Sequence, residues 1–590
     1  MRPRQLLTLF ASCFLAGLII LLLRDPTHST LLSSPGSKIN DAADHPKITK
    51  PLEEATTTSH PIYQLIANAE SDLENTLNTQ SKSLEEAVTE YRRRYKLHPP
   101  PNFEKWYDFA NRKGVQLIDE YDTIFHSLLP FWALDPMIIR NRTREALGFD
   151  NALIGIFIRD GKVVNMEGGD KWQQDSTAGM MKDFLQYLPD MDLAFNKHDE
   201  PRVIVPHDDL TRLVKKATEE VMPIAFANKK PKNTFSARPS DVLDGTRSPE
   251  VRITRFNRFA HQPTWTHSRM SCPPDSPSRG MDDTSTDNTA SYTFSSLGFV
   301  QNKTAFSDIC QSPSFRSTYG FFDRPNALDI VHDLFPIFSQ SKISSFQDIL
   351  YPSPWYWANK VPYKESQDYN WEKKEDKMYW RGSTTGGFSR DGGWRRQHRQ
   401  RVVQKMNALD STRVFENQTT EWRIKVVPKP DYKSLFDVKF SHVGQCDPGD
   451  CDAQKEFFEV APGAAQHDAW RYKYLLDMDG NAFSGRFYAF LKSSSLIFKM
   501  AVFREWHEEW LKPWAHYVPL GLTGDEYVES VRYFDQEEEG KVQSLRLALK
   551  GRDWAAKVLR NEDFEVWFFR LLLEYGRLVD DAREEIGFGL

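Results

Sequence analysis

The chain has 590 residues, of which 13% are aromatic and 27% are charged, and its formal net charge is −6. That length is sufficient for two or three domains with a large core. Its dispersed basic residues and negative net charge give no indication of a nucleic-acid-binding protein.

The first segment of note is an apolar run, Leu6–Leu23, that contains no charged residue and follows Arg2 and Arg4. Its 18 residues are just enough to cross a bilayer, and the two arginines favour a cytoplasmic N-terminus. A cleaved signal peptide is the alternative, although the run exceeds a usual signal sequence and lacks a small-x-small cleavage site. We expect a cytoplasmic tip and transmembrane anchor over residues 1–24. A flexible stem rich in Ser, Thr, Pro and His should follow over residues 25–62.

Helical periodicity dominates the next region, residues 63–135. The HPPP sequence at residues 98–101 ends its first helix, because the residue before a proline avoids the helical conformation. Residues 105–131 show the same spacing of apolar side chains. The sequence therefore predicts a helical region ahead of the first strand.

A Rossmann-like N-terminal domain is predicted for residues 136–370. The Asp160-Gly161 dipeptide predicts a hairpin between the first two strand candidates, because both residues tolerate positive φ. The Ser, Asp and Pro content of residues 266–297 predicts a loop insertion. The strand candidates are Leu153–Ile158, Lys162–Asn165 and Arg202–Val205.

Strands alternate with helices between residues 371 and 550, which predicts a second Rossmann-like domain with a parallel, doubly wound sheet. Residues 551–590 are expected to be helical, since Trp554–Val579 places its aromatic and aliphatic side chains on one face. The predicted elements are strand Met378–Arg381, a helix near Gly393–Leu409, strands Arg423–Val427 and Tyr472–Asp477, a helix from Ser484, and strands Ser495–Met500 and His516–Leu520.

Three sequons and four cysteines beyond the anchor agree with a location in the secretory lumen. Each Asn-x-Thr sequon is a weak signal alone, because the tripeptide is common. An even number of cysteines is compatible with disulfides in an oxidising compartment, although free buried thiols remain an alternative. Cys446 and Cys451 enclose a turn and could close a small loop, and Cys272 and Cys310 would then pair across a Pro/Ser-rich segment. The sequons begin at Asn141, Asn302 and Asn417.

Two Gly/Ser/Thr turns, at residues 379–387 and 473–486, each follow a strand candidate and carry an arginine. Ser484 could cap a helix over Phe487–Lys492, so that backbone N–H groups and an arginine converge on an anion. Because the chain has neither a Walker lysine loop nor a GxGxxG sequence, a nucleotide-sugar diphosphate is the favoured ligand. The predicted donor-binding residues are Arg381, Gly382, Ser383, Thr384, Ser484, Gly485 and Arg486.

These two arginines have alternative interpretations. Arg381 could equally be a surface residue on an exposed turn. Arg486 could form a structural salt bridge with Asp477 or Asp479. Because a cation beside the positive end of a helix is unfavourable without an anion, Arg486 is the stronger candidate.

Several other charged residues invite a functional interpretation. Asp477 and Asp479 resemble the DxD motif that holds a divalent metal in some glycosyltransferases, but a strand end followed by an Asp-Gly turn is the simpler reading. No metal site is therefore predicted. The basic run Arg395–Arg401 is interpreted as a solvated helix face. Asp323 lies in an aromatic FFDRP turn and could deprotonate an alcohol, although nothing local distinguishes it from neighbouring aspartates.

Several blocks of the sequence together resemble glycosyltransferase family 90, which contains fungal capsule-associated transferases and animal protein O-glucosyltransferases of the Rumi type. The resemblance runs with gaps from about Tyr91 to Tyr575, and the ordered set is more specific than any single motif. The blocks are YRRRYKLHPPPNFEKWYDFA, PIFSQSKISSFQDILYPSPWYW, YWRGSTTGG, KYLLDMDGNAFSGRFYAFLKSSSLIFK and PWAHYVPL.

The resemblance implies a GT-B-like α/β fold, with two Rossmann-type domains facing a cleft and a UDP-sugar held mainly by the C-terminal domain. It implies an inverting, metal-independent displacement without a cofactor. In the Rumi branch the base is an Asp in an Arg-Asp-x-Pro turn, thirteen residues before a Pro-x-Phe-Ser-x-Ser-Lys block. Here Asp323 stands thirteen residues before Pro336, although Phe322 replaces the arginine. In the Rumi branch a phenylalanine also stands at the position of Gly485.

The expected protein is a type II Golgi membrane glycosyltransferase of fungal character. It would transfer xylose or glucose from a UDP-sugar to a glycan or glycoprotein hydroxyl in the lumen. Two alternatives remain open. One is a metal-dependent transferase that uses Asp477 and Asp479, and the other is a catalytically silent luminal sugar-binding protein. A glycosidase is less favoured, because no second carboxylate at a defined separation can be named.

Overall fold

Two five-stranded sheets organise the part of the chain that the computed structural model describes, which comprises residues 58–281, 284–419 and 421–590. The predicted anchor and residues 25–57 of the predicted stem lie outside these ranges. Within them, no helix combines the length and the apolar character needed to span a bilayer. The strands are β1 (Leu153–Arg159), β2 (Lys162–Glu167), β3 (Met191–Asn196), β4 (Asn257–Arg258), β5 (Thr293–Phe294), β6 (Phe299–Val300), β7 (Asp329–Ile330), β8 (Ile337–Ser339), β9 (Ile349–Leu350), β10 (Glu375–Ser383), β11 (Ser411–Asn417), β12 (Trp422–Pro428), β13 (Phe436–His442), β14 (Tyr472–Met478), β15 (Leu496–Met500) and β16 (Val518–Pro519).

Helices cover both sheets and form most of residues 61–147 and 527–578. The α-helices are Pro61–Asn78, Leu84–Tyr95, Phe103–Lys113, Asp122–Leu128, Pro136–Leu147, Lys171–Met181, His207–Lys216, Met222–Ala227, Trp265–Ser268, Lys303–Phe306, Phe315–Thr318, Gly320–Asp323, Pro354–Trp357, His398–Asn407, Pro448–Phe457, Phe487–Lys492, Tyr527–Gln536, Glu538–Val558 and Asn561–Leu578.

The first sheet has the strand order β2-β1-β3-β8-β9. β1 is antiparallel to both of its neighbours, and only β3, β8 and β9 run parallel. The predicted hairpin is present, with Asp160 and Gly161 at φ of 48° and 69°, as a tight two-residue turn requires. This sheet is therefore mixed, which departs from the parallel sheet of a Rossmann-like domain.

The second sheet is parallel throughout and has the order β13-β10-β14-β15-β16. Its central strand β14 has the apolar core expected for a strand that is covered on both faces. When the five strands are numbered by their order in the sequence, their order across the sheet is 2-1-3-4-5. The direction in which the connections cross the sheet therefore reverses between β10 and β14. Ligands of open α/β sheets bind at such a reversal, outside the carboxyl ends of the strands.

Three predicted elements differ from the structure. In the described ranges Arg202–Val205 forms only an isolated bridge between Val203 and Val331, because the N–H groups of Arg202 and Val203 donate to the Asp348 carboxylate and not to a neighbouring strand. Arg423–Val427 is a strand, but it pairs with β11 in a separate antiparallel hairpin. The predicted helix Trp554–Val579 spans parts of two helices, which are separated at residues 559–560.

A long excursion, which we call the insertion, occupies residues 202–330 between β3 and β8. It contains short two-stranded pairs, and its apolar side chains form a hydrophobic cluster with Ile343, Phe346, Ala482, Val502 and Phe503 from outside it. A disulfide joins Cys272 to Cys310 within it, and a second joins Cys446 to Cys451, as the sequence predicts. Such cross-links restrict the unfolded chain and stabilise irregular segments.

The three sequons differ in exposure. Asn141 and Asn417 are exposed, whereas Asn302 is partly buried, and its side chain accepts a hydrogen bond from Ala305 N. Glycosylation of these residues stays a prediction.

The end of the predicted stem is packed into the molecule. His60 is fully buried, and its Nε2 lies 2.8 Å from Glu529 Oε1 on helix Tyr527–Gln536. The imidazole stacks on Tyr533 with a centroid separation of 4.2 Å. Ordered packing therefore begins before residue 62, where the composition had placed the end of the stem.

Candidate functional site

The structure brings the two predicted turns together at the carboxyl edge of the second sheet, where its strand order reverses. The loop after β10 and the loop after β14 touch, because Gly386 N donates to Asn481 Oδ1 at 3.2 Å. Arg486 also donates from its guanidinium to the carbonyl of Arg381. The predicted juxtaposition of the turns is thus present.

Arg381 does not face this junction. Its guanidinium donates to both carboxylate oxygens of Asp437, at 2.7 and 2.9 Å, and to the carbonyl of the same residue. It also lies 4.8 Å from the Tyr379 ring. Because side chains alternate along a strand, Tyr379 and Arg381 occupy the face of β10 opposite Trp380. The expectation that Arg381 and Arg486 clamp one diphosphate is therefore not met.

Substitution of Arg381 by methionine is expected to lower stability by about 1–3 kcal/mol, because the partly buried carboxylate of Asp437 loses its partner. UDP affinity should stay within twofold of the wild-type value, since the guanidinium lies on the other face of β10. Thermal unfolding and calorimetric titration with UDP measure the two effects. A loss of UDP affinity larger than tenfold in a folded R381M variant would show that Arg381 does bind the diphosphate.

A different pair of arginines meets at the junction. Arg399 and Arg486 both lie against Trp380, with guanidinium carbons 5.6 and 5.9 Å from the ring centroid. Burial, with the adjacent charge of Arg486, lowers the pKa of Arg399 to about 10, and burial also lowers the pKa of Arg486. Two guanidinium groups that repel each other in a partly desolvated environment favour the binding of an anion between them.

Arg399 belongs to the basic run that the sequence analysis placed on a solvated face. The structure instead buries Arg399 and His398. Arg399 Nε donates to the carbonyl of Asp479 at 2.7 Å, and its Nη1 donates to Thr385 Oγ1 at 2.8 Å. This arginine therefore joins the end of β14 to the loop after β10. A run of four arginines and one histidine does not reveal which of its side chains faces the sheet.

The remaining predicted donor residues occupy different environments. Thr384 is buried, and its hydroxyl bonds to the backbone of Gly444. It therefore anchors the loop after β10 and does not face the junction. Ser383 is partly exposed, and its hydroxyl lies 2.9 Å from Thr385 Oγ1. Gly382 has no room for a side chain, because a Cβ would lie 2.4 Å from the Trp380 ring.

Asp477 and Trp355 hold the Ser484–Arg486 turn in place from the interior of the protein. Ser484 does not cap helix Phe487–Lys492, because Arg486 occupies the N-cap position. The Ser484 hydroxyl donates to Asp477 and accepts from Arg486 N at 3.4 Å. Trp355 Nε1 donates to the carbonyl of Gly485 at 3.0 Å, and a Cβ on this glycine would lie 2.6 Å from the indole nitrogen. Trp355 thus fills the space next to residue 485.

Asp477 and Asp479 are engaged in the interior rather than open to a metal. Asp477 Oδ2 lies 3.0 Å from Lys499 Nζ. Asp479 Oδ2 accepts from Tyr319 Oη at 2.6 Å and from two backbone N–H groups. Both carboxylates are buried, and no group of three potential metal ligands occurs in the described ranges. The interpretation of these residues as a strand end is favoured, and the salt bridge from Arg486 to either one is not observed in those ranges.

Asp323 lies close to the loop after β10 but is largely enclosed. Its Oδ1 accepts from Arg396 Nε at 3.0 Å, and Arg324 Nη1 lies 3.6 Å from Oδ2. Gly320, three residues earlier, packs so closely that a Cβ would lie 2.1 Å from the carbonyl of Gly386. The side chain is 8% exposed, so a substrate hydroxyl has little access to it.

A second aspartate, Asp199, follows the carboxyl end of β3 and is exposed. Within the described ranges its carboxylate forms no hydrogen bond or ion pair. The surrounding protein nevertheless desolvates it enough to raise its pKa. A carboxylate that solvent reaches and protein surrounds is typical of a cleft, and a raised pKa suits proton acceptance.

Two chains of contacts connect Asp199 to the second sheet. The neighbouring Glu200 accepts from Ala327 N at 3.2 Å, and in the same segment the carbonyl of Arg324 accepts from Phe388 N at 2.7 Å. Phe388 directly follows the loop after β10. The carboxyl end of β3 is therefore connected, through residues 324–327, to the segment that follows the loop after β10.

The second chain of contacts passes through helix Lys171–Met181. Gln173 Nε2 donates to the carbonyl of Lys197 at 3.2 Å, and Trp172 packs edge to face on Trp355 at 6.0 Å between centroids. Trp355 in turn bonds to Gly485. The turn that contains Asp199 is thus linked to the Ser484–Arg486 turn.

The sequence contains a motif that points to Asp199, but the thirteen-residue spacing to Pro336 selects Asp323 instead. The sequence His198-Asp199-Glu200-Pro201 is an Asp-x-Pro turn directly after a buried strand. β3 pairs with β8, whose residues belong to the Pro-x-Phe-Ser-x-Ser-Lys block beginning at Pro336. The insertion separates these neighbours in sequence, so a thirteen-residue spacing selected Asp323 from inside the insertion instead.

Comparison with known proteins identifies the relationship. The Glycosyl transferase family 90 profile matches residues 322–584, so the chain contains a domain of that family. The Asp199 turn lies before the matched segment. Among curated proteins, the chain is 27% identical over 267 residues to an O-glucosyltransferase rumi homolog of Aedes aegypti, covering 41% of this chain and 56% of that protein. It is 22% identical over 293 residues to protein O-glucosyltransferase 1 of Rattus norvegicus, covering 46% and 64%.

A third relative, O-glucosyltransferase rumi of Drosophila melanogaster, is 26% identical over 257 residues, covering 41% of this chain and 55% of the relative. The matched region thus spans less than two thirds of the length of each of these relatives.

Proposed function

We propose that this chain, whose residues 322–584 form a glycosyltransferase family 90 domain, is an inverting glycosyltransferase that uses a UDP-sugar. The observation that carries the proposal is the pair Arg399 and Arg486 at the strand-order reversal of the parallel sheet. Two mutually repelling cations at that place provide a binding site for a diphosphate. The accessible Asp199 borders the same region.

The reaction would be a single displacement at the anomeric carbon. The acceptor hydroxyl gives its proton to the Asp199 carboxylate while its oxygen forms a bond to that carbon. The bond to the diphosphate oxygen breaks, and UDP leaves with the electron pair. Arg486 and Arg399 would stabilise the charge that develops on UDP, which is the form of catalysis with the largest usual effect. Attack from the side opposite UDP inverts the anomeric configuration.

The donor sugar is proposed to be glucose or xylose. The names of the related proteins specify O-glucosyl transfer, which supports glucose. The two sugars differ by one hydroxymethyl group, a difference that pocket contacts distinguish modestly. A glycan or glycoprotein hydroxyl is the proposed acceptor. The apolar N-terminal run, the sequons and the two disulfides support a membrane-anchored enzyme of type II topology with its catalytic part in the secretory lumen. The Golgi membrane is the compartment that we propose.

The contacts of Asp477 and Asp479 argue against the alternative of a metal-dependent enzyme. A DxD site would need Asp477 and Asp479 free, yet Lys499 and Tyr319 engage them. A silent sugar-binding protein would have no use for paired arginines at the strand-order reversal. We therefore favour a metal-independent enzyme.

UDP release measured on the full-length protein tests the proposal directly. We expect release from UDP-glucose or UDP-xylose in the presence of a panel of glycan and glycoprotein acceptors, with a rate that excess chelator changes by less than twofold. Loss of release on chelation, restored by a divalent cation, would support the metal-dependent alternative. Binding of sugars without any UDP release would support a silent sugar-binding protein.

A further inference from the structure

Behind the Ser484–Arg486 turn, buried polar side chains form a closed circuit that begins and ends at Ser484. The hydroxyl of Ser484 donates to Asp477 Oδ1, and Asp477 Oδ2 accepts from Lys499 Nζ at 3.0 Å. The same ammonium lies 3.9 Å from Glu505 Oε1. The first half of the circuit thus joins the turn to a carboxyl group in the interior.

The second half returns through aromatic side chains. Glu505 Oε1 lies 3.8 Å from His507 Nε2, and His507 Nδ1 lies 2.7 Å from Tyr488 Oη. Tyr488 stacks on Tyr356 with a centroid separation of 3.7 Å. The hydroxyl of Tyr356 donates to the carbonyl of Ser484. Ser484 is therefore held by its side chain and by its backbone through the two arms of one circuit.

The surroundings of Glu505 and His507 favour the uncharged form of both side chains. Burial, with the nearby carboxylates of Asp477 and Asp479, raises the pKa of Glu505 to about 8 against the opposing effect of Lys499. Burial lowers the pKa of His507 well below its usual value. At neutral pH Glu505 is therefore largely protonated beside the Lys499 ammonium, whose nearest carboxyl partner is Asp477.

We propose that Glu505 is a positioning residue, which holds Ser484 and Arg486 in place for the donor diphosphate as long as it is uncharged. The proposal rests on the proposed function, because it assigns the turn to the diphosphate. Loss of the Glu505 proton to solvent would leave a second buried carboxylate. That carboxylate would compete with Asp477 for Lys499, and Asp477 would then hold Ser484 less firmly.

The groups that face Glu505 come from several elements. Its second oxygen, Oε2, is buried and has no hydrogen-bond partner in the described ranges. A negative charge on Glu505 would therefore depend on the Lys499 ammonium near Oε1, which already contacts Asp477. The titratable groups around it are Lys499 on β15, Asp477 and Asp479 at the end of β14, Lys303 on helix Lys303–Phe306, His507 two residues later, Tyr488 on helix Phe487–Lys492, Tyr356 on helix Pro354–Trp357, and Tyr517.

Calorimetric titration of the full-length chain with UDP between pH 7.5 and 8.8 tests this inference. UDP keeps a nearly constant charge there, because the second ionisation of a terminal phosphate is complete above a pKa of about 6, and the N3–H of uracil ionises mainly at higher pH. We expect wild-type affinity to fall about fourfold across the range, whereas Glu505→Gln should vary by less than twofold. Glutamine has the shape of the protonated side chain and cannot ionise.

Glu526→Gln is the matched control. Glu526 is also fully buried, with a pKa raised to about 7 by burial, but it holds the backbone of Gly521. This variant should retain the wild-type dependence of UDP affinity on pH. A wild-type affinity that is constant with pH, or a fall that persists in E505Q, would overturn the inference. Absence of UDP binding at every pH in the wild type would overturn the proposed function and this inference with it.

A second variant guards against a folding defect in E505Q. Tyr488→Phe removes only the hydroxyl that contacts His507 and should weaken UDP binding about fivefold at pH 7.5, with little change in thermal stability. Unchanged UDP affinity in a folded Y488F variant would also overturn the positioning role.

Discussion

Replacement of Asp199 by asparagine is expected to reduce sugar transfer about 1,000-fold, while UDP affinity stays within twofold of the wild-type value. Asparagine keeps the shape of the side chain but cannot take the proton of the attacking hydroxyl, and a general base contributes about 10²–10⁴-fold. Initial rates of transfer and calorimetric titration with UDP measure the two quantities separately.

Asp323→Asn is the matched control, since it changes the aspartate that the sequence spacing selects. Its Oδ1 already accepts from Arg396, and the side chain is largely enclosed. We expect less than a tenfold loss of transfer in D323N. The reverse result, with transfer abolished in D323N and retained in D199N, would return the base to Asp323.

Arg486→Ala is expected to weaken UDP binding about 100-fold, because hydrogen bonds to charged groups contribute about 1.5–3 kcal/mol each. Transfer should fall by at least as much, since the departing diphosphate loses stabilisation. Arg486→Lys should recover part of the affinity, because the charge returns without the planar, two-pronged donor geometry.

The contrast with Arg381 sharpens this test. Both arginines belong to the two turns singled out in the sequence, but only Arg486 lies against Trp380 together with Arg399. Equal loss of UDP affinity in R381M and R486A would contradict the placement of the diphosphate on that face. Unchanged affinity and rate in R486A alone would remove Arg486 from the site.

The parallel sheet was largely predictable from sequence, because buried parallel strands read as short apolar runs separated by helices. Tyr472–Asp477 lies within an observed strand, and Ser495–Met500 and His516–Leu520 each contain one. The helix Phe487–Lys492 was also predicted with its observed bounds. Local pattern is sufficient there, since each element is specified by its own residues.

The candidate site was less predictable, because it depends on which face each side chain occupies. A strand places consecutive residues on opposite faces, so Arg381 and Trp380 separate although they are adjacent. Arg399 appeared to be one of several solvated cations, and only the fold shows that it turns inward onto the end of β14. Sequence pattern alone does not contain that choice.

Asp199 was missed for a different reason. Its turn and β8 are neighbours in space because β3 and β8 pair, but the insertion lengthens the connection between them. Spacing along the chain measures distance in the fold only when no segment has been added between two strands. Strand pairing is the more dependable guide to such a site.

The burial of His60 has a practical consequence for protein production. A shortened chain that starts after this histidine would leave the Glu529 carboxylate with Arg532 and without its imidazole partner. It would also expose the apolar wall formed by Phe415, Trp422 and Tyr533. Secreted versions for crystallisation should therefore retain residues from Thr58 onward, so that this aromatic socket stays filled.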